Sequence, residues 1–350
     1  MKTLITGDVI GRWVVDHCIS PGIPRLYMAY EFDDENTKAL LTTLSLEGTE
    51  QLRREASVLR ALAHPAVPEL IDFGVSNEHG LAWMATKEFD AETLQDRLLA
   101  GPILWKEACA LFHQLAKGLR HAHEHSIVHR DVSPVKILLD RKGHAQVVGF
   151  EAAMDESELS QLAEVQMGPL GYLAPEVITK GRRAGPRADL YALGVVLYEA
   201  LTGRPAFPAA LMDGRADPLE RMLDWKARSE PLRPSGDLPD WLKNLVEKAT
   251  HPDPSERLPD MDAFVGWLDA ARGFWEPLAR PERPVEADVA PPPIVMAAPS
   301  LGAPAHPLPD PVPVTRVMPL AYFTAASLGV ALGVVFSIVV ILVVELPALG

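Results

Sequence analysis

The sequence predicts an α+β fold in two parts, a β-rich first part and a mostly helical second part, followed by a linker and one apolar helix. Alternating apolar residues indicate strands at 12–19, 25–31, 38–44, 70–74 and 81–86, with a helix over 49–62. Helical periodicity then dominates at 105–125, 189–201, 241–250 and 261–271. Residues 277–313 contain twelve prolines, and 320–344 carry no charge.

Composition excludes some classes of function. The 350 residues are 48% hydrophobic, so the chain can bury a large core without the help of disulfides. Its formal charge of -14 argues against nucleic acid as a partner, because such binding requires Lys and Arg to neutralise phosphate. Cys18 and Cys109 form neither a disulfide nor a metal framework, which is consistent with a reducing compartment.

Several motifs follow one another in a characteristic order. Residues 129–136 read HRDVSPVK, 168–176 read GPLGYLAPE, 189–194 read DLYALG, and 254–257 read PSER. Together they resemble the protein kinase family, and bacterial membrane-attached Ser/Thr kinases most of all. The resemblance implies a bilobal protein-kinase-like fold over 12–272 that follows a short segment at 1–11. The small lobe would span 12–87 and the large lobe 90–272.

The resemblance also implies roles for single residues. Asp131 stands at the base that accepts the proton of the substrate hydroxyl, and Arg130 precedes it. Glu55 stands at the glutamate of the small-lobe helix. Structural roles fall to Asp189 in the buried large-lobe helix and to a pair between Glu176 and Arg257. The positions implied for the nucleotide pocket are Ala39, Thr86 as gatekeeper, Lys136 and Leu138.

The glycine-rich loop that covers phosphates in kinases is altered here. Its three glycines correspond to Ile19, Pro21 and Pro24, with only Gly22 between them. Proline stiffens the backbone and removes N–H donors, so we expect little phosphate binding at this loop.

The lysine that binds phosphates is missing as well. Leu41 occupies its expected position, which leaves Glu55 without that partner. Lys38 is three residues away, and side-chain alternation predicts that it lies on the opposite face of the strand from Leu41.

Both expected magnesium ligands are replaced. Residues 149–151 read GFE where kinases read DFG, and Lys136 stands in place of the metal-binding asparagine. A cation where cations should bind makes magnesium improbable, and we rate substitution by Glu151 below plain loss of the metal. We expect Asp131 to hold Lys136 in an internal ion pair. His121 and His125 have the i,i+4 spacing of a metal pair, but no Cys or Glu completes a zinc site, so we predict no bound metal.

The C-terminal part predicts attachment to a membrane. Residues 273–319 form a proline-rich spacer, 320–344 are long enough for a single transmembrane helix, and 345–350 form a short tail. The charge flanking the helix favours an inner-membrane protein with its kinase-like domain in the cytoplasm. Small residues recur every four positions on one helix face and predict homodimerisation through Ala325, Gly329, Gly333 and Ser337; the general abundance of small residues in membrane helices is an equally good explanation.

We therefore predict a pseudokinase that acts as a scaffold or allosteric regulator of another kinase or signalling protein. A second interpretation is a slow Ser/Thr kinase with atypical metal dependence, in which Lys136 supplies the charge of the metal. A third is an ATP sensor that binds the nucleotide without metal.

Overall fold

The computed structural model describes residues 3–275 except 23, 156–169, 181–184, 208–220, 223 and 227–229. The described residues all belong to one compact unit, Met1–Ala287. The predicted spacer beyond Trp275, the predicted transmembrane helix 320–344 and its predicted dimer face lie outside them. Within the described residues no helix combines the length and apolarity needed to cross a bilayer.

The small lobe is a six-stranded antiparallel sheet with one helix. Its strands lie in the order β1-β2-β3-β4-β6-β5. Their bounds are β1 Val9–Ile10, β2 Trp13–Ser20, β3 Arg25–Glu31, β4 Asp34–Ser45, β5 Leu70–Ser76 and β6 Leu81–Lys87. Helix α1, Thr49–Ala61, connects β4 to β5. The sheet and helix occur where the sequence predicts them, and β1 is additional.

The two faces of this sheet are covered by different parts of the chain. On one face, Leu41 of β4 packs in a buried cluster with Leu4, Trp13 and Trp83. On the other, α1 packs against a second cluster that contains Leu44 and Met84. Strand alternation decides which residues face which layer. Residues 3–11 of the predicted N-terminal segment are thus part of the lobe, since Leu4 and Ile10 are 3% and 0% exposed.

The large lobe is mainly helical. Its helices are α2 Leu94–Leu99, α3 Trp105–Glu124, α4 Pro175–Lys180, α5 Pro186–Thr202, α6 Asp240–Ala249, α7 Met261–Ala270 and α8 Arg272–Trp275. Short strands complete it, namely β7 Ala91–Thr93, β8 Ile127–Val128, β9 Ile137–Asp140, β10 Ala145–Val147 and β11 Met154–Asp155. Helix α5 is buried along most of its length, and α3, α6 and α7 share one apolar core with it.

The large lobe extends further than predicted. The sequence-based boundary placed the start of the linker at 273, but Trp275 is 4% exposed and its indole Nε1 donates to the Leu268 carbonyl at 2.8 Å. A buried, hydrogen-bonded tryptophan belongs to the core. The folded lobe therefore includes Trp275.

Candidate functional site

The HRD loop is held by one buried carboxylate. Asp189, at the start of α5 and 1% exposed, accepts hydrogen bonds from the backbone N–H groups of His129 and Arg130, each at 2.8 Å. It also contacts Nε2 of His123 at 2.8 Å. Arg130 has a φ of 70°, a conformation that L residues rarely adopt. Asp189 therefore stabilises the unusual backbone that presents Asp131.

His129 connects this loop to the small lobe. Its ring accepts from the Asp131 N–H at 3.2 Å and donates from Nε2 to the Val148 carbonyl at 3.1 Å. Burial lowers the pKa of His129, in agreement with the neutral ring that these two bonds require. Phe150 packs edge-on against it, with ring centroids 4.6 Å apart, and lies 1% exposed in the α1 cluster.

Lys136 is the centre of a group of three acids. Its Nζ forms a hydrogen-bonded ion pair with Glu151, and lies 3.8 Å from Oδ2 of Asp131. Glu55 of α1 is close enough to interact electrostatically with Lys136 and Glu151. Glu151 is thus the closer partner of Lys136. The sequence-based interpretation treated Glu151 only as a replacement metal ligand. The predicted partner Asp131 is the more distant of the two.

Lys136 also determines what residue 149 can be. A Cβ atom on Gly149 would lie 2.6 Å from Cδ and 2.7 Å from Nζ of Lys136. Gly149 has a φ of 83°, which also favours glycine. A side chain at 149 would therefore require Lys136 to move from its present position.

The charges of the group perturb one another. Burial alone would lower the pKa of Lys136, but Glu151, Asp131 and Glu55 together raise it above its ordinary value. Burial would likewise raise the pKa of Glu151, but Lys136 holds it below its usual range. This closely bonded pair is therefore charged on both sides at neutral pH.

The other two acids titrate at much higher pH than usual. Burial, followed by repulsion from Glu151, raises the pKa of Glu55 to about 8. Burial also raises the pKa of Asp131, to about 6, although Lys136 opposes that rise. One lysine thus neutralises Glu151, while Glu55 remains protonated at neutral pH. The buried Oδ1 of Asp131 has no hydrogen-bond partner among the described residues.

Strand register corrects one predicted pocket residue. Leu40 pairs with Thr86 and Thr42 with Met84, so these residues share the sheet face on which α1 packs. Ala39 is 0% exposed and packs with Trp13 on the other face, because adjacent strand residues alternate. Ala39 is consequently not on the same face as Thr86, contrary to the sequence-based assignment.

The same register changes the interpretation of the missing lysine. Leu41 faces the outer cluster, so Leu40 and Thr42 are the strand residues on the face next to α1. Lys38 lies on the opposite face from Leu41, as side-chain alternation predicts, but it is exposed and pairs with Tyr30 at the far end of β4. The described part of this strand places no lysine beside Glu55. Lys136 approaches Glu55 from the large lobe instead.

The remaining predicted residues lie around this centre. Leu138 is in β9, where it pairs with Thr93 and Gln146 and is half-buried. The altered glycine-rich loop is the short turn between Ser20 and Leu26, which are paired across β2 and β3. Pro21 and Pro24 lie in that turn and offer it no N–H donors.

Glu176 of α4 forms an ion pair with Arg257, which lies just before α7. The Arg257 side chain is 0% exposed and donates to both carboxylate oxygens of Glu176, at 2.6 and 2.7 Å. Its Nε donates to the His251 carbonyl at 2.6 Å, and its guanidinium lies 4.8 Å from the ring centroid of Tyr191. This is a buried, bidentate ion pair whose remaining donors are also used.

Sequence patterns gave no sign of a buried lysine nearby. Lys226 is 1% exposed and donates to the carbonyls of Leu170, Gly171 and Leu173 at 3.0, 2.7 and 2.6 Å. Its Nζ also lies 4.5 Å from the ring centroid of Phe207. Lys226 thereby fixes the chain just before α4.

A comparison with family models decides the identity of this domain. Residues 34–265 match the model of the protein kinase domain. The chain belongs to the protein kinase family. Its bilobal fold and its kinase-like signalling class follow from that membership.

The relatives are bacterial Ser/Thr kinases. The chain is 32% identical to Serine/threonine-protein kinase PrkC of Bacillus subtilis over 225 residues, which cover 63% of this chain and 34% of PrkC. It is 31% identical to PknA of Mycobacterium tuberculosis over 260 residues, 73% of this chain and 56% of PknA. The match to pkn2 of Myxococcus xanthus is 36% over 173 residues, 46% of this chain and 20% of pkn2. The chain thus spans between a fifth and just over half of these relatives.

Kinases of this family use magnesium, and the residues here do not fit it. The ammonium group of Lys136 contacts both Glu151 and Asp131, and its side chain fills the space next to Gly149. Elsewhere in the described residues, no group of three His, Cys, Asp or Glu side chains is arranged to hold a metal ion.

Proposed function

We propose that this protein is a pseudokinase, a protein kinase domain in which an internal ion group replaces the metal site. The observation that carries the proposal is the contact between Lys136 and Gly149. A Cβ atom on residue 149 would lie 2.6 Å from the Lys136 side chain, so a carboxylate there would require this lysine to leave its ion pair with Glu151. The same lysine neutralises Glu151, which is the acid closest in the chain to the missing carboxylate at position 149.

The altered roof of the cleft supports the same proposal. Leu40 and Thr42 provide no cation next to α1, and Pro21 and Pro24 remove backbone donors from the loop above. Phosphoryl transfer depends on positioning and charge stabilisation, which these changes weaken together. General-base catalysis by Asp131 contributes only about 10²- to 10⁴-fold, so it does not offset the loss of the metal and the clamp.

The group of charges also supports a role for the domain as a rigid binding module. Phe150 packs between His129 and the α1 cluster, and Asp189 holds the HRD loop. Contacts within the protein therefore link the HRD loop, Phe150 and α1 to one another. We propose that this domain regulates another kinase or signalling protein. We further propose that residues 320–344 anchor it to the inner membrane, with the domain in the cytoplasm and with homodimerisation through the small-residue face.

A slow Ser/Thr kinase is the second candidate, and one observation favours it. The Oδ1 atom of Asp131 is buried and has no hydrogen-bond partner among the described residues, and the pKa of Asp131 is raised to about 6. An acceptor in this state has the properties of a general base for a substrate hydroxyl.

The two candidates differ in a transfer assay. The full chain in detergent is incubated with labelled ATP, Mg²⁺ or Mn²⁺ and a Ser/Thr peptide library, beside PknA as a positive control and Asp131→Asn as a matched variant. The pseudokinase proposal expects equal background labelling for the chain and for Asp131→Asn. Labelling that depends on Asp131 would overturn it in favour of the kinase.

Ligand binding is measured separately by thermal shift. We expect no increase in melting temperature with ATP and Mg²⁺ beyond that with ATP alone. A shift with ATP that needs no metal would identify a nucleotide sensor, whereas a shift that requires Mg²⁺ would contradict the proposed loss of the metal site.

A further inference from the structure

An exposed aromatic groove lies at the end of the large lobe, far along the chain from the HRD loop. It has a volume of about 360 Å³ and is lined by Trp241, Gly266, Trp267, Ala270, Ala271 and Phe274. Three helices build it. Trp241 is near the start of α6, Trp267 and Ala270 lie one turn apart on α7, and Phe274 is on α8.

Buried and partly buried aromatic residues support the groove from the core side. Trp105 packs edge-on against Trp241, with ring centroids 6.4 Å apart. The adjacent residues Phe274 and Trp275 point in opposite directions, because Trp275 is 4% exposed and Phe274 is 67% exposed. Trp275 thus anchors α8 to the core, while Phe274 presents an unusual amount of apolar surface.

The chain that follows has the pattern of a ligand for such a groove. Every third residue after Trp275 is apolar, namely Leu278, Pro281, Pro284 and Ala287. A polyproline II helix has three residues per turn, so these side chains form one apolar face, while the charged residues Arg280, Glu282, Arg283 and Glu286 lie on the other two. Segments of this kind bind aromatic grooves because their extended form is already ordered.

The position of the segment favours binding within the same chain. Leu278 follows Phe274 by four residues, roughly 12 Å of polyproline II helix, so the start of the apolar face would be within reach of the groove. A ligand attached by so short a connection has a high effective concentration and loses little loop entropy. We propose that residues 277–287 bind in the aromatic groove of their own domain, as the first part of the spacer.

The proposal is tested by disulfide trapping in the full chain, solubilised in detergent. Cys18 is exposed and is replaced by serine, whereas Cys109 is buried. Ala270→Cys in the groove is combined with Glu282→Cys in the segment, and the rate of intramolecular disulfide formation under mild oxidation is followed by mass spectrometry. The same pair is then measured in a Phe274→Ser background and in a Pro281→Ser/Pro284→Ser background.

The connection between the two cysteines has the same length in all three proteins, so proximity along the chain contributes equally. We expect each background to slow disulfide formation at least fivefold. Phe274 is mostly exposed, and the prolines lie beyond the described residues, so both changes should leave the melting temperature unchanged. Equal rates in the three proteins would overturn the proposal, and so would disulfides formed mainly between two chains, which would identify a second copy as the occupant.

Discussion

The side chain of Lys136 lies directly against Gly149, at the place where a side chain of residue 149 would begin. A Cβ atom at residue 149 would lie 2.6 Å from Cδ of Lys136, which is far inside van der Waals contact. The lysine therefore brings a cation into the site, and it would have to move for residue 149 to carry a side chain.

Gly149→Ala is expected to destabilise the domain by about 2–4 kcal/mol, because it adds the contact with Lys136 to the strain of a positive φ. Combined with Lys136→Ala, the same substitution should cost only about 1 kcal/mol, the part due to backbone strain. Denaturant unfolding of the four proteins of this cycle measures the coupling. Gly80 is the control because it has a φ of 65° with no atom near its would-be Cβ. A cost for Gly149→Ala that does not change when Lys136 is removed would contradict the steric coupling.

Glu55→Gln should change how stability depends on pH. The pKa of Glu55 is about 8 in the folded protein, above its ordinary value of 4.5, so the folded state binds the proton more tightly. The wild type therefore loses stability as pH rises from about 5 to 8, and this loss is absent from the variant. We expect similar stability at pH 5 and a variant that is more stable by about 1–3 kcal/mol at pH 8.5.

Chemical denaturation at a series of pH values measures this difference between Glu55→Gln and the wild type. Glu50→Gln, an exposed position on the same helix, is the matched control and should follow the wild type. If the Glu55→Gln curve runs parallel to that of the wild type, Glu55 is not a buried acid with a raised pKa.

Arg257→Lys should cost about 3–5 kcal/mol, because a lysine cannot form the two parallel bonds and leaves Glu176 incompletely paired in a buried site. Glu176→Gln is expected to cause a loss of similar size. The exposed pair of Arg233 and Glu247 is the comparison, and Arg233→Lys should cost no more than about 1 kcal/mol. Equal losses for the buried and exposed pairs in thermal unfolding would show that burial does not govern the contribution of Arg257.

Lys226→Met should release the chain around residues 170–173, because three buried carbonyls lose their donor. Hydrogen exchange at these residues is expected to accelerate at least tenfold, with a stability loss of about 2–4 kcal/mol. Lys87→Met removes an exposed lysine and should change neither measurement. Unaltered exchange at 170–173 in Lys226→Met would mean that other contacts hold this segment.

Much of the fold was predictable because its signals are local. Strand alternation placed β2 to β6 to within a few residues, and helical periodicity located α1, α3, α5, α6 and α7. Position 149 lacks a carboxylate and Lys136 replaces an amide, and both facts are visible without a structure because they depend only on motif position. The short β1 and the buried Trp275 were missed, since neither belongs to a long periodic segment.

The candidate site was less predictable where it depends on contacts across the chain. Ala39 is assigned to the pocket by its position in the motif that the resemblance implies, but pairing between β4 and β6 puts it on the other face. A shift of one residue in a strand reverses every side chain, and only the register of the neighbouring strand resolves it. Lys226 and its three carbonyl partners are separated by more than fifty residues, which no local pattern detects.

By itself, the sequence determined that the chain has the motif order of a protein kinase and that its metal and phosphate ligands have changed, because each of these facts is the identity of one residue at one motif position. The tertiary structure alone decided that Lys136 pairs most closely with Glu151, that it fills the space next to Gly149, and that burial raises the pKa of Glu55 to about 8. Those properties arise from distances and burial among residues brought together by folding, and Coulomb energies and steric exclusion depend on such distances and not on position in the chain.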